Sequence, residues 1–164
     1  MKSFILICVV LAAGWGGGCS KGGNAGASPG AIHEFEPRPM HGGTLVKLGQ
    51  DEYCIELVLD AQAGRLQVYI LDGEAEDFVR IPQASFEMIV ELPGGEKSLT
   101  LKAVPNNATG ETVGNTALFE VQSDWLKTAP GCDAMIKELT VGGQPYQNIA
   151  LKFPKGNDIS ETNR

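Results

Sequence analysis

From Thr44 onward, apolar and polar residues alternate along the chain instead of recurring at helical spacing. Alternation of this kind predicts β-strands that bury one face. The segments "TLVKL", "YCIELVLD" and "RLQVYILD" are separated by the turn-forming stretches "GQDE" and "AQAG". Short strands punctuated in this way predict an all-β domain.

These three segments predict two antiparallel hairpins that share one register. Pairing Leu48 with Tyr53, and Asp60 with Arg65, puts the apolar residues of all three strands on one face: Val46, Ile55, Leu57, Leu59, Leu66, Val68 and Ile70. A slip of one residue would turn all of them toward water, so this register is strongly favoured. We expect the opposite face, including Cys54, Glu56 and Gln67, to be largely exposed.

The same pattern continues downstream. "SFEMIVEL" and "KSLTLKA" around "PGGE" predict a hairpin with Val90 opposite Leu99, and "AMIKELTV" with "YQNIALKF" around "GGQP" predicts another. "SDWLKTA" predicts a single helical turn capped by Ser123 or Asp124. The sequence therefore predicts an antiparallel two-sheet β-sandwich, immunoglobulin-like, of about eight or nine short strands. We expect it to span residues 33–155 and a disordered polar tail to span 156–164.

The N-terminus has the features of a bacterial export signal. Lys2 supplies a positive charge, and residues 4–13 are apolar but too few to cross a bilayer as a helix. Small residues then lead into Cys19. This order resembles a bacterial lipoprotein signal over residues 1–18, which implies that Cys19 carries lipid and begins the mature chain. An ordinary secretory signal cut near the same place is the alternative. Residues 19–32, rich in Gly, Ser and Ala, predict a flexible tether.

Charge and motif content narrow the classes of function. The formal net charge is −7, and no cluster of Lys and Arg interrupts it, which argues against a nucleic-acid partner. The sequence lacks a nucleophile elbow, the zinc motif HExxH, a phosphate-binding glycine loop and paired CxxC motifs. We therefore expect a protein that is not an enzyme.

Two cysteines, Cys54 and Cys132, remain once the signal peptide and Cys19 are set aside. Outside the cytoplasm such a pair suggests a disulfide, which would stabilise the fold by about 4 kcal/mol by closing a long loop. Two separate thiols are the alternative. Carboxylates at Glu52 and Glu56 flank Cys54 and would raise its pKa, so a nucleophilic thiol is not expected.

His41 is the residue with the most evident potential to bind a metal. Extending the first hairpin ladder places it opposite Asp60, roughly 13 Å from Glu56 and roughly 20 Å from Cys54 at about 3.3 Å per residue. Ligands of one metal ion must each lie about 2.0–2.3 Å from it. This register therefore excludes Glu56 and Cys54 from a site that contains His41.

The remaining candidate ligands near His41 are Met40 and Asp60, with Glu36 and His33 on the lead-in segment. A thioether and an imidazole suit copper, and an imidazole also suits zinc. The alternative is that His41 stands at the start of a strand and pairs electrostatically with Asp60.

Residues 40–73, "MHGGTLVKLGQDEYCIELVLDAQAGRLQVYILDG", resemble an element of uncharacterised bacterial envelope lipoproteins. A similar His-Gly-Gly strand and hairpin occurs in modules associated with heavy-metal efflux adaptor proteins. The resemblance covers about a fifth of the chain and carries over His41, Gly42 and Gly43. It implies an envelope location and, as a possible activity, metal binding.

Two functions follow as expectations. The first is a non-catalytic, lipid-anchored β-sandwich domain at the periplasmic or extracellular face of the cell envelope, acting as a binding or structural module with an envelope protein partner. The alternative is a periplasmic accessory module that binds copper or zinc through His41, Met40 and Asp60 and is linked to heavy-metal efflux.

Overall fold

The computed structural model describes residues 36–129 and 131–157. It contains eight strands, in chain order β1 (Thr44–Leu48), β2 (Tyr53–Asp60), β3 (Arg65–Asp72), β4 (Ser85–Leu92), β5 (Gly95–Ala103), β6 (Leu118–Gln122), β7 (Cys132–Val141) and β8 (Gln144–Phe153). A short 3₁₀ helix spans Asp124–Thr128. The prediction of an all-β domain is thus confirmed.

All eight strands belong to a single antiparallel sheet in the order β1-β2-β3-β6-β5-β4-β7-β8. The sheet curls until its two edge strands, β1 and β8, come near each other, which gives a nearly closed barrel. The division into two sheets is not found: β3 pairs with β6, and β6 pairs with β5, so the ladder is continuous where a sandwich would be split.

The first two hairpins have the predicted register. Leu48 pairs with Tyr53, and Asp60 pairs with Arg65. Ile55, Val68 and Ile70 are completely buried, and Leu57 is almost so. These side chains face the barrel interior, where they pack with Phe86, Met88, Leu101, Phe119, Ile136 and Leu151 from the remaining strands.

The register of the third hairpin is shifted by two residues from the prediction. Val90 pairs with Lys97 instead of Leu99, because Gly95 belongs to β5 and the turn contains only Pro93 and Gly94. Likewise, the last hairpin turns at Gly142 and Gly143 alone, so that β8 begins at Gln144. A shift of two keeps each side chain on its predicted face. Val90, Leu99, Leu101, Ile149 and Leu151 are buried, whereas Ala103 and Phe153 are half-buried.

The segment after β8 fills the gap between the two edge strands. The Asn157 side chain accepts a hydrogen bond from the Lys47 backbone N–H at 2.8 Å and donates one to the Lys47 carbonyl, also at 2.8 Å. Gly156 is buried, and a Cβ there would lie 2.1 Å from the Leu45 carbonyl oxygen. Residues 156 and 157, predicted as part of a disordered tail, are thus packed against β1, whereas 158–164 lie outside the described residues.

The 3₁₀ helix confirms the predicted helical turn. Ser123 occupies the N-cap position, but no side-chain capping bond is formed. The Ser123 N–H instead donates to the Gly64 carbonyl, which ties the helix to the β2–β3 turn. Leu126 is buried in the barrel core, and the Lys97 ammonium lies 5.5 Å from the Trp125 ring centroid. Within the described residues, no helix has the length and apolar character needed to cross a membrane.

Candidate functional site

A second, small apolar cluster covers the outer face of β1, β2 and β3. Cys54, Leu71 and Ala75 are buried there, with Leu45 and Tyr69 packed against them. The alternation of residues predicted that this face is exposed to water, and the prediction is wrong for its central part. The lead-in residues 36–43 and the loop after β3 lie over it, so the middle of β2 is buried on both faces.

Glu56 is the polar centre of this covered face, and it has no exposed surface. Its Oε1 accepts hydrogen bonds from the backbone N–H groups of His41 and Gly43, both at 2.8 Å. Its Oε2 lies 2.9 Å from Nδ1 of the His41 imidazole. The expectations that Glu56 is exposed and too distant from His41 are therefore both wrong.

The glycines next to His41 allow this fold-back. Gly42 has a φ of +71°, a left-handed conformation in which L side chains are strained. At Gly43 a Cβ would lie 2.4 Å from the Leu57 carbonyl oxygen and 2.9 Å from the Glu56 side chain. The chain leaves the line of β1 at this point, which is why extending the ladder put His41 in the wrong place.

The bond to Glu56 determines how His41 meets its surroundings. Pairing with a carboxylate assigns the Nδ1–H tautomer to His41, because a carboxylate accepts hydrogen bonds and the imidazole N–H donates. In the neutral imidazole the lone pair is then on Nε2. Because the His41 side chain is 32% exposed, it is a fixed imidazole at the protein surface with a free acceptor atom.

Aromatic rings surround the imidazole. The His41 and Tyr69 rings are stacked, with centroids 3.9 Å apart and planes at 8°. Phe78 lies 6.0 Å from each of these two rings and is itself 51% exposed. Met40, the neighbour of His41 in the chain, is 45% exposed. We refer to Met40, His41, Tyr69 and Phe78 as the His41 patch.

The buried carboxylate also shapes the electrostatics of this face. Burial raises the pKa of Tyr69, and the negative charge of Glu56 raises it further. Burial, with contributions from Asp72 and Glu56, raises the pKa of Cys54 to about 11. The Cys54 Sγ donates to the Asp72 carbonyl at 3.1 Å. At neutral pH this thiol is protonated and engaged, as the sequence analysis expected of a non-nucleophilic cysteine.

The structure brings together only some of the predicted metal ligands. Met40 and His41 are adjacent on the surface, but Asp60 is engaged in the β2–β3 turn, where it accepts from the Ala63 N–H at 3.0 Å and from Arg65 at 3.3 Å. The expected His41–Asp60 pair is thus replaced by His41–Glu56. Glu36 is exposed, and no hydrogen bond or salt bridge joins it to another described residue. His33 and Cys19 lie outside the described residues.

Cys54 and Cys132 are both free thiols in the structure. Cys54 belongs to the small outer cluster, whereas Cys132 packs against the barrel core. They therefore lie on opposite faces of the sheet, and the disulfide considered from the sequence is not formed here.

Glu56, Tyr69 and Phe78 are site residues that were not predicted from the sequence. A signal for them was present: Leu45, Cys54, Tyr69 and Leu71 all alternate onto the face that was assigned to water. Several apolar residues on one supposedly exposed face indicate that something covers it. The identity of the cover, a lead-in segment with His-Gly-Gly, did not follow from this pattern.

Across residues 36–129 and 131–157, no group of three or more His, Cys, Asp and Glu side chains is arranged to hold a metal ion. The chain matches no protein family, no curated protein and no solved structure. The function is therefore inferred from the geometry of the His41 patch.

Proposed function

We propose that this chain is a non-catalytic binding module, held at the cell envelope by lipid on Cys19, whose His41 patch contacts an envelope protein. One observation carries the proposal: a buried carboxylate fixes an imidazole against Tyr69, next to the exposed side chains of Phe78 and Met40. The location at the cell envelope and the lipid anchor are inferred from the sequence features of residues 1–32.

The composition of the patch fits a contact surface. In the part of the chain that the structure describes, the exposed large apolar side chains are Met40, Phe78 and Val113, and two of these belong to the patch. Aromatic residues and Met are enriched where proteins bind one another, because they bury much surface and lose little conformational entropy. The fixed imidazole of His41 also favours binding, since an ordered side chain loses less conformational entropy when a partner binds.

The chemistry of the patch is consistent with binding rather than catalysis. His41 has a free Nε2, but a nucleophile would have to be activated beside it. Cys54, the thiol in the underlying cluster, is buried and has a pKa of about 11. This leaves recognition as the role that the described side chains support.

The experiment is site-specific photo-crosslinking in intact cells. A photoreactive amino acid at Phe78 is expected to give a discrete crosslinked product. The same amino acid at Val113, which is 60% exposed, serves as the control because it is apolar and outside the patch. The product from position 78 should also disappear when Met40→Ala is added. Equal products from both positions, or none from position 78, would contradict the proposal.

A second candidate function is a metal-binding accessory module for copper or zinc, with His41 and Met40 as ligands. The observation that favours it is the bond between Nδ1 and Glu56, because metal-binding histidines commonly donate their other ring N–H to a carboxylate. Titration calorimetry with Cu and Zn ions tests this. Stoichiometric binding that His41→Ala abolishes and Asp60→Asn leaves intact supports the metal site, whereas binding no tighter than about millimolar excludes it.

A further inference from the structure

The negative charge of this protein is concentrated in the segment that builds the His41 patch. Residues 36–80 contain nine Asp and Glu against four Lys and Arg, a formal charge of −5, whereas the whole chain has −7. Residues 81–157 contain eight acidic against six basic residues. The segment that contains β1, β2 and β3 therefore carries most of the net negative charge of the described residues.

The loop that follows β3 places part of this charge directly beside Phe78. We call residues 72–77 the acidic loop; they include four carboxylates and no Lys or Arg. The Asp72 N–H donates to the Asp77 carbonyl at 3.0 Å, and Asp72 Oδ1 accepts from the Glu76 N–H at 2.9 Å. The acidic loop thus closes on itself, and a backbone β-bridge between Leu71 and Phe78 places Phe78 at its base.

Three carboxylates of this loop have no basic partner. Glu74, Glu76 and Asp77 are exposed, and none of the salt bridges between residues that the structure describes includes them. The fourth carboxylate, Asp72, accepts hydrogen bonds from the backbone N–H groups of Glu76 and Asp77 and so holds the loop together. The patch is therefore bordered by negative charge that no Lys or Arg among residues 36–129 and 131–157 neutralises.

The nearby cations are mostly engaged elsewhere. Arg80 donates to the Thr109 carbonyl at 2.8 Å and lies 3.8 Å from Glu111. Lys47 lies 3.3 Å from Asp51. Arg38, on the lead-in segment, is exposed and is the one cation there, and the same segment carries the exposed Glu36. The acidic loop has four carboxylates and no Lys or Arg, so the stronger charge is the one next to Phe78.

We propose that the His41 patch binds a segment of its protein partner that carries arginine or lysine, with the cationic side chain over the Phe78 ring and its charge facing the acidic loop. This inference rests on the proposed function of the same surface and adds the chemistry of the partner. A cation over an aromatic face is attracted by the ring electrons, and a guanidinium also stacks on the ring plane. An acidic segment would be repelled by the same carboxylates.

The test measures binding of a fluorescently labelled octapeptide that alternates arginine and glycine to the purified full-length protein in detergent, by anisotropy. Phe78→Ala is expected to weaken binding about two- to fivefold, the value of one exposed cation–π contact. The combined variant Glu74→Gln, Glu76→Gln and Asp77→Asn is expected to weaken it by about fivefold or more and to reduce its salt dependence. A lysine peptide should bind more weakly than the arginine peptide, and a glutamate peptide should not bind.

Two control variants separate a local site from diffuse attraction. Val113→Ala removes an exposed apolar side chain elsewhere, and Glu91→Gln with Glu96→Gln and Glu138→Gln removes three other exposed carboxylates. Both should bind the arginine peptide as the wild type does. If the two triple variants lose affinity equally, or if Phe78→Ala has no effect, the inference is overturned.

Failure of this inference can be distinguished from failure of the proposed function. A specific crosslink from position 78 without any binding of the arginine peptide would leave the His41 patch as a contact surface and exclude a cationic segment as its occupant. If neither the crosslink from position 78 nor binding of the arginine peptide is observed, the His41 patch is not a contact surface.

Discussion

At the scale of single residues, Glu56 determines the structure of the outer face. A buried carboxylate is costly unless hydrogen bonds compensate for lost hydration, and Glu56 receives two backbone N–H groups and an imidazole N–H. The same three bonds turn the lead-in segment back over β2. A single side chain therefore accounts for the position of His41, whereas Cys54 is covered by the loop after β3, where it lies against Asp72 and Ala75.

Glu56→Gln tests this role. The amide keeps one oxygen for the backbone N–H groups but places an NH₂ donor opposite Nδ1, so the imidazole must change tautomer and its bond to a carboxylate is lost. We expect the free energy of unfolding, measured by urea denaturation, to fall by about 1–3 kcal/mol. Gln67 is half-buried and lies two residue pairs from Glu56 along the β2–β3 ladder. Gln67→Ala should change the free energy of unfolding by no more than about 0.5 kcal/mol. Equal effects of the two variants would contradict the importance of the Glu56 bonds.

The glycines of the His-Gly-Gly stretch provide a matched pair. A Cβ at Gly42 would meet open space, but the backbone there has a positive φ. Gly42→Ala should therefore lower the free energy of unfolding by about 1 kcal/mol. Gly43→Ala drives a methyl group into the Leu57 carbonyl and the Glu56 side chain, and should cost about 2–3 kcal/mol. Thermal unfolding of both variants gives the comparison. If Gly42→Ala is the more damaging, the close approach at Gly43 is not what holds the lead-in segment.

Cys54 allows a prediction about reactivity. With a pKa of about 11, only a minute fraction of this thiol is thiolate at about pH 8, and its burial blocks access. We expect iodoacetamide to leave Cys54 unmodified in the folded protein and to modify it after unfolding in urea. Half-buried Cys132 should react sooner. Mass spectrometry of the peptides measures both, and equally fast modification of the two thiols in the folded protein would be evidence against the buried position of Cys54.

At the scale of elements, the sequence was informative about faces and less so about turns. Alternation has a period of two, so it determines which residues of a strand share a face but not shifts by two. In the third hairpin both Gly94 and Gly95 suit a turn, and the structure uses Gly95 in β5. The register of β1, β2 and β3 was predictable because each of their turns has one consistent placement that leaves every apolar residue inward.

The closing segment after β8 gives a prediction at this scale. Asn157 acts as a strand partner for Lys47 through its side-chain amide. Asn157→Ala leaves that N–H and carbonyl without a partner, at a cost of about 1–3 kcal/mol. Hydrogen exchange should therefore show faster exchange of the Lys47 amide. Asn107→Ala, on an exposed turn, is the control, and unchanged protection of Lys47 in Asn157→Ala would mean that this contact does not close the barrel.

At the scale of the whole molecule, the barrel and the sandwich share the same local pattern. Both architectures bury alternate residues of short antiparallel strands, so periodicity does not distinguish them. The difference lies in contacts between distant parts of the chain, such as Lys47 with Asn157, which are separated by 110 residues. The outer site was unpredictable for a related reason: His41 reaches Glu56 only because the chain departs from the β1 ladder at Gly42 and Gly43.

The location of the whole protein is the last prediction, and it rests on residues 1–32. A lipidated cysteine carries more than one acyl chain, and two chains are sufficient for stable anchoring. Cys19→Ala should therefore move the protein from the membrane fraction to the soluble fraction, and the intact mass of the wild type should include the acyl groups. Cys132→Ala keeps Cys19 and should remain with the membranes. Because the 19–32 stretch is predicted to be a flexible tether, the anchor would leave the His41 patch free to meet a partner. Membrane retention of Cys19→Ala, together with a wild-type mass without acyl groups, would contradict the lipid anchor while leaving the patch and its proposed cationic partner to be judged by their own experiments.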